Sequence, residues 1–247
     1  YNVASVAPQI VDPETTSVLL TSTVKYNTST TTKSSDTLKS EITTAVINYN
    51  TNTLQKFDSV YRHSKLTGLI DAVDNSILSN ITTIKIRKEF TPTLLSSNKY
   101  DVYFRNALFN PHSGHNMASG GILTSTGFKI DGNDNEMFLD DDGSGNARLY
   151  YLASGIRTYI NSTQGTIDYT TGQITLNSLN VASISNIRGA TSTTIELTVT
   201  PSSNDVVPVR DQIIEIDISN SNITVETDSF VGGSADAGVG YTTTSSY

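Results

Sequence analysis

The sequence predicts an α+β fold: a ferredoxin-like α/β sandwich module over residues 1–94, an all-β domain of sandwich or barrel-like type over 95–219, and a flexible tail or assembly arm over 220–247. Three observations predict it. Two one-sided apolar stripes at helical spacing lie before Pro92. Apolar–polar alternation of period two dominates after it. Beyond Asn220 the periodicity fades, apart from Ile223 and Val225.

The first element is a strand over 16–26. Val18, Leu20, Val24 and Tyr26 share one face, interrupted only by Ser22. A Ser/Thr-rich loop follows to Lys33, and Ser35 or Asp36 is placed to cap a helix by accepting bonds from its orphan amides. In that helix Leu38, Ile42, Ala45, Val46 and Tyr49 fall on one side. Residues 57–62 read as a short extended stretch, and Ser64 as a second cap. Leu66, Leu69, Ile70 and Val73 then make a clean stripe. Ile84, Ile86 and Phe90 alternate with Lys85, Arg87 and Glu89 in a half-buried strand that Pro92 ends. Strand, helix, short strand, helix, strand, with both stripes facing one small sheet, is a ferredoxin-like order.

The second half reads as strands alone. Tyr100, Val102 and Phe104 alternate with polar neighbours, as do Ile195, Leu197 and Val199, and Ile214, Ile216 and Ile218. Phe138 and Leu139 face 149–152 across the turn 140–145. Ile167 and Tyr169 face Ile174 and Leu176 across Thr170, Thr171 and Gly172. The run from Gly232 and Gly233 to Tyr247 reads as a tail or an arm that orders on a partner.

Composition narrows the function. Hydrophobic residues are 36% and charged residues 16% of the 247, so Ser, Thr and Asn fill the difference, and β-branched Thr suits a pleated surface. A net charge of −8 without a basic stripe argues against nucleic-acid backbones and anionic membranes. The chain has no cysteine, which excludes disulfides, thiol catalysis and cysteine-bound zinc. No apolar run approaches the ~18 residues of a membrane span, and no signal peptide is visible. The chain starts at Tyr1 rather than Met, as a fragment would.

Four patterns invite a chemical reading. Asp140, Asp142, Ser144 and Gly145 match the first half of a calcium loop, but Tyr151 stands where its bidentate Glu belongs. The competing reading, which we favour, is a polar hairpin turn with Gly143 and Gly145 at positive φ. His112 and His115 form an H-x-x-H, far in sequence from the third histidine, His63; Asp131 or Asp134 would have to complete a metal site, and exposed loop histidines are the simpler account. Asp131, Asp134, Glu136 and the carboxylates at 140–142 supply acids, with nothing to converge two of them across a cleft. Neither a G-x-S-x-G elbow, a dinucleotide fingerprint nor a phosphate loop is present. Of Tyr150, Tyr151 and Tyr159, the adjacent pair must point to opposite faces, one to core and one free for an interface. No catalytic, cofactor-binding or metal residue is expected.

Several motifs are familiar in their order. V-D-P-E-T-T-S-V-L-L-T-S-T-V-K-Y at 11–26 and S-K-L-T-G-L-I-D-A-V-D at 64–74 resemble the C-terminal α+β module of baseplate J-like proteins. With S-N-I-T-T-I-K-I-R-K at 79–88, G-T-I-D-Y-T-T-G-Q-I-T-L at 165–176 and S-N-D-V-V-P-V-R-D-Q-I-I-E-I at 203–216, the closer resemblance is to the C-terminal portion of the baseplate wedge protein of T-even-type contractile-tailed phages, their gene product six. That resemblance implies a virion protein without enzymatic activity, assembled in the bacterial host cytoplasm. It implies self-association, as a homodimer, and union with other wedge proteins in a ring around the tail hub. It implies no cofactor, nucleic acid, membrane or small-molecule substrate.

Two other classes compete. A carbohydrate-binding or adhesin-like β module predicts a monomer with an aromatic platform or a working calcium loop. A hydrolase on a β scaffold predicts convergent carboxylates in a groove. The two striped helices favour the structural part.

Overall fold

The computed structural model describes residues 14–115, 121–208 and 212–228. The start of the 11–26 motif, Val209, Arg210 and Asp211 of the 203–216 motif, and the Gly/Thr run beyond 228 lie outside them.

Strand β1 (Glu14–Tyr26) buries Val18, Leu20, Ser22, Val24 and Tyr26 on one face. Ser22 costs little there, because its hydroxyl meets that of Thr82 directly across the sheet at 2.8 Å, and Thr82 in turn donates to Asn80 Oδ1 at 2.9 Å. Helix α1 (Ser35–Tyr49) buries Leu38, Ile42 and Val46. Its cap is Ser34, one residue earlier than expected: the Thr37 amide donates to Ser34 Oγ at 3.2 Å. A single π-turn, residues 50–54, extends the helix. Helix α2 (His63–Asp71) buries Leu66 and Ile70. Ser64 does not cap it. The carboxylate of Asp205, far along the chain, accepts from the His63 amide at 2.9 Å and pairs with Arg62 at 2.7 Å.

Strand β2 (Ile77–Phe90) runs antiparallel to β1, with Val18 opposite Ile86 and Leu20 opposite Ile84. Residues 57–62 do not form the expected strand. Tyr61 alone makes one antiparallel bridge, to Val206, so α1 and α2 follow each other without a sheet strand between them. The ferredoxin-like order is therefore not formed by the described residues before Pro92, although the α+β class holds. The remaining strands are β3 (Ser97–Tyr103), β4 (Thr124–Ser125), β5 (Phe128–Ile130), β6 (Met137–Asp141), β7 (Asn146–Ala153), β8 (Ile156–Asp168), β9 (Gln173–Ile184), β10 (Ile195–Val199), β11 (Gln212–Ile216) and β12 (Asn222–Thr227).

The first sheet has the order β11-β1-β2-β10-β4, and β12 also pairs with β1. β11 and β12 both run parallel to β1 and share one of its edges, along Glu14–Val18 and Thr21–Tyr26 respectively. Parallel partners need long crossovers, so these strands come from the far end of the chain. β12 corrects the expectation that everything after Asn220 is tail: Ile223 and Val225 pack toward the core beside Ser22 and Val24.

The second sheet closes on itself. β9, β5, β6, β7 and β8 form a ring of five strands, with β8 returning to β9, and β3 pairs with β9 outside it. This is the barrel-like option of the expected all-β region. Its tight corner is Gly165, where a Cβ would stand 2.0 Å from the Thr175 carbonyl oxygen; only glycine lets the two backbones approach so closely. One apolar cluster runs through both sheets, from Val18 and Ile86 to Phe104, Leu139 and Leu176.

Candidate functional site: the acidic hairpin and its barrel face

The β6–β7 hairpin carries the three consecutive aspartates, and hairpin register assigns each a different task. Phe138 and Asp140 face outward from the barrel, opposite Tyr150 and Arg148. Asp140 is fully buried there. It accepts from Arg148 Nε at 2.9 Å, Arg157 at 3.2 Å and the Tyr159 hydroxyl at 2.8 Å. The guanidinium of Arg148 also lies over the Tyr159 ring, 4.3 Å from its centroid, and that of Arg157 over Tyr150 at 5.0 Å. Burial pushes the Asp140 carboxyl above the ordinary carboxylate range, against the opposing pull of Tyr159 and both arginines. The group is a latch between β6, β7 and β8: an ion buried at such cost is kept by its full set of donors.

Asp141 points the other way. Its Oδ1 accepts from the amides of Ile122 at 2.7 Å and Leu123 at 2.8 Å, and its Oδ2 from the Tyr169 hydroxyl at 2.7 Å and the Gly143 amide at 3.3 Å. Burial, and then this carboxylate, push the Tyr169 hydroxyl well above the ordinary tyrosine range. Asp142 caps the turn, accepting from the Ser144 and Asn146 amides at 2.7 and 3.0 Å and from the Asn146 side chain at 2.6 Å. Gly143 and Gly145 sit at φ 71° and 103°. Every carboxylate of the D-x-D-x-S-G run is thus taken up by protein donors, which is the geometry of a polar turn. Tyr151 lies opposite Met137 and packs against the core instead of reaching the turn.

The histidine pair does come together. His115 Nδ1 lies 3.1 Å from His112 Nε2, and His112 Nδ1 lies 3.2 Å from the Ser113 carbonyl. His63 belongs to α2, within 3.5 Å of the Tyr61 hydroxyl. Asp131 accepts from the Asn180 amide instead, and among the described residues no three metal-ligating side chains form a cluster. Of the tyrosines, Tyr150 is buried, Tyr151 half-buried and Tyr159 partly exposed above the latch.

The feature the sequence reading missed is the far end of the same hairpin pair. β7 and β8 are joined at Ser154 and Gly155, both at positive φ (52° and 82°), a two-residue type I′ turn whose twist matches the strands. Around it Leu152, Ile160 and, at 71% of its surface, Ile156 stand exposed. The clue was the apolar residue on each side of Ser-Gly, at 152 and 156. The hairpin thus joins an ionic latch at one end to an exposed apolar tip at the other, and its aspartates are taken up by protein donors.

Comparison with known proteins agrees in kind. Residues 16–89 match the family described as baseplate structural protein gp6, C-terminal domain III. The matched region is the β1–α1–α2–β2 unit, ending one residue short of the end of β2. No curated protein matches the chain. That family's description is of a structural protein of a baseplate. No helix among the described residues is long and apolar enough to cross a membrane.

Proposed function

We propose that this chain is a non-enzymatic assembly part of a contractile-tail baseplate wedge. In this reading it self-associates and joins neighbouring wedge proteins into a ring around the tail hub, and assembly takes place in the bacterial host cytoplasm. The family match over residues 16–89 carries the proposal. The apolar β7–β8 tip supports it, since a ring of separate chains needs rigid elements that lose water only on contact.

The experiment is co-expression of the chain with the other wedge proteins of its phage, followed by light scattering of the purified complex. A stoichiometric complex that weakens at least about tenfold with Leu152→Asp and Ile156→Asp supports the reading, since burying a charge in an apolar contact costs more than 1.4 kcal/mol. A chain that stays apart from all of them and instead binds glycans on an array would replace it with the adhesin reading.

A further inference from the structure

We propose that residues 79–83 of β2 pair antiparallel with the same residues of a second copy, across a two-fold axis at Ile81, so that two first sheets become one. The proposal rests on the self-association reading above and names its surface.

The edge exists because β10 leaves early. Its last pair with β2 is Val199 opposite Ile86, and Pro201, which has no N–H to continue a ladder, then turns toward Leu108. From Ser79 to Lys85, β2 is paired with β1 on one side, and among the described residues no strand lies on the other. The segment is tied to α2 through the Asn80 side-chain amide, which donates to the Thr67 carbonyl at 3.0 Å and to Asp71 at 2.6 Å. Ile81, at the middle of the segment, is 68% exposed.

A free edge of this kind is normally guarded by charge, bulges or cover. The other long edges here are guarded. On β11 the side chain of Asn50 stands in for a strand, accepting from the Ile216 amide at 2.8 Å and donating to its carbonyl at 3.2 Å. β12 carries Glu226, β3 carries Lys99 and Asp101, and the outer part of β8 carries Arg157 and faces register shifts in β7. On β2 the register shift against β1 falls at Leu78, and from Ser79 to Ile84 there is no shift, no charged residue and no proline.

The occupant follows from the order of the side chains. With the axis at Ile81, isoleucine meets isoleucine, Ser79 meets Thr83 and Asn80 meets Thr82: each position finds a partner of its own kind, and no like charges oppose. That self-complementarity is what an isologous contact requires.

The test uses the absence of native cysteine. Ile81→Cys in the full chain should form a disulfide-linked dimer under mild oxidation, since directly opposed antiparallel residues lie within disulfide reach. Lys39→Cys, exposed on α1, should not. Ile81→Lys should raise the dimer Kd at least about tenfold by sedimentation equilibrium, because it sets two cations face to face; unchanged circular dichroism checks that it folds. A dimer that neither crosslinks through position 81 nor responds to Ile81→Lys overturns this surface and leaves self-association standing. A chain monomeric at every concentration overturns both.

Discussion

Asp141→Ala should be among the most destabilising single changes in the barrel. The carboxylate is fully buried and holds four donors: the amides of Ile122, Leu123 and Gly143 and the hydroxyl of Tyr169. Alanine strands all four. A stranded buried donor costs roughly 1–3 kcal/mol, so even at the low end the loss is about 4 kcal/mol, a large share of the ~5–15 kcal/mol that keeps a domain folded. Asp141→Asn separates the causes. Its remaining oxygen can still take the Ile122 and Leu123 amides and its new NH2 faces a hydroxyl able to turn and accept, so its cost should be about 1–2 kcal/mol. Urea unfolding followed by tyrosine fluorescence, which the 12 tyrosines and absence of tryptophan permit, gives the midpoint; coincidence with circular dichroism tests two-state behaviour. A midpoint for Asp141→Ala within about 0.5 kcal/mol of the parent would show that these bonds contribute nothing net, and the reasoning would fail.

Gly121→Ala should copy that phenotype, because a Cβ there would stand 1.8 Å from Asp141 Oδ1 and φ is +75°; thermal unfolding measures it. Asp205→Ala should cost about 1 kcal/mol, the usual value of a lost cap, and hydrogen exchange should show it confined to the first turn of α2. The same cap sets a pH dependence. The Arg62 guanidinium and then the His63 amide hold the Asp205 carboxyl below the usual range, so its contribution is complete above the unfolded value of about 3.9 and is lost as pH falls through the lower folded value. Protection factors in α2, taken relative to the intrinsic exchange rate at each pH, should therefore fall below about pH 4 in the parent and not further in Asp205→Ala. Excess Ca2+ or chelator should leave the melting temperature unchanged, because protein donors already occupy the carboxylates at 140–142; a calcium-dependent rise would restore the cation reading.

Much of the local structure was legible because it is local. The stripes of α1 and α2, the alternation of β1, β2, β10 and β11, and both hairpins follow from side-chain period and turn residues alone. Counting back from the Gly143–Gly145 turn would also have set Asp140 opposite Arg148. Two errors share one cause. Ser64 looked like a cap and Asn222–Thr227 like tail, since the groups that decide both, Asp205 and the edge of β1, lie more than a hundred residues away.

By itself, then, the sequence determined the α+β class, the helices, most strands, and the motifs shared with a baseplate wedge protein. It did so because hydrophobic period and turn chemistry act over a few residues. Only the tertiary structure decided which strands are neighbours, that five of them close a barrel, that the three aspartates are spent as latch, bracket and cap, and that among the described residues no strand pairs the outer side of β2 from Ser79 to Lys85. Those outcomes depend on contacts between distant segments, whose pairing is selected by the burial of the whole core.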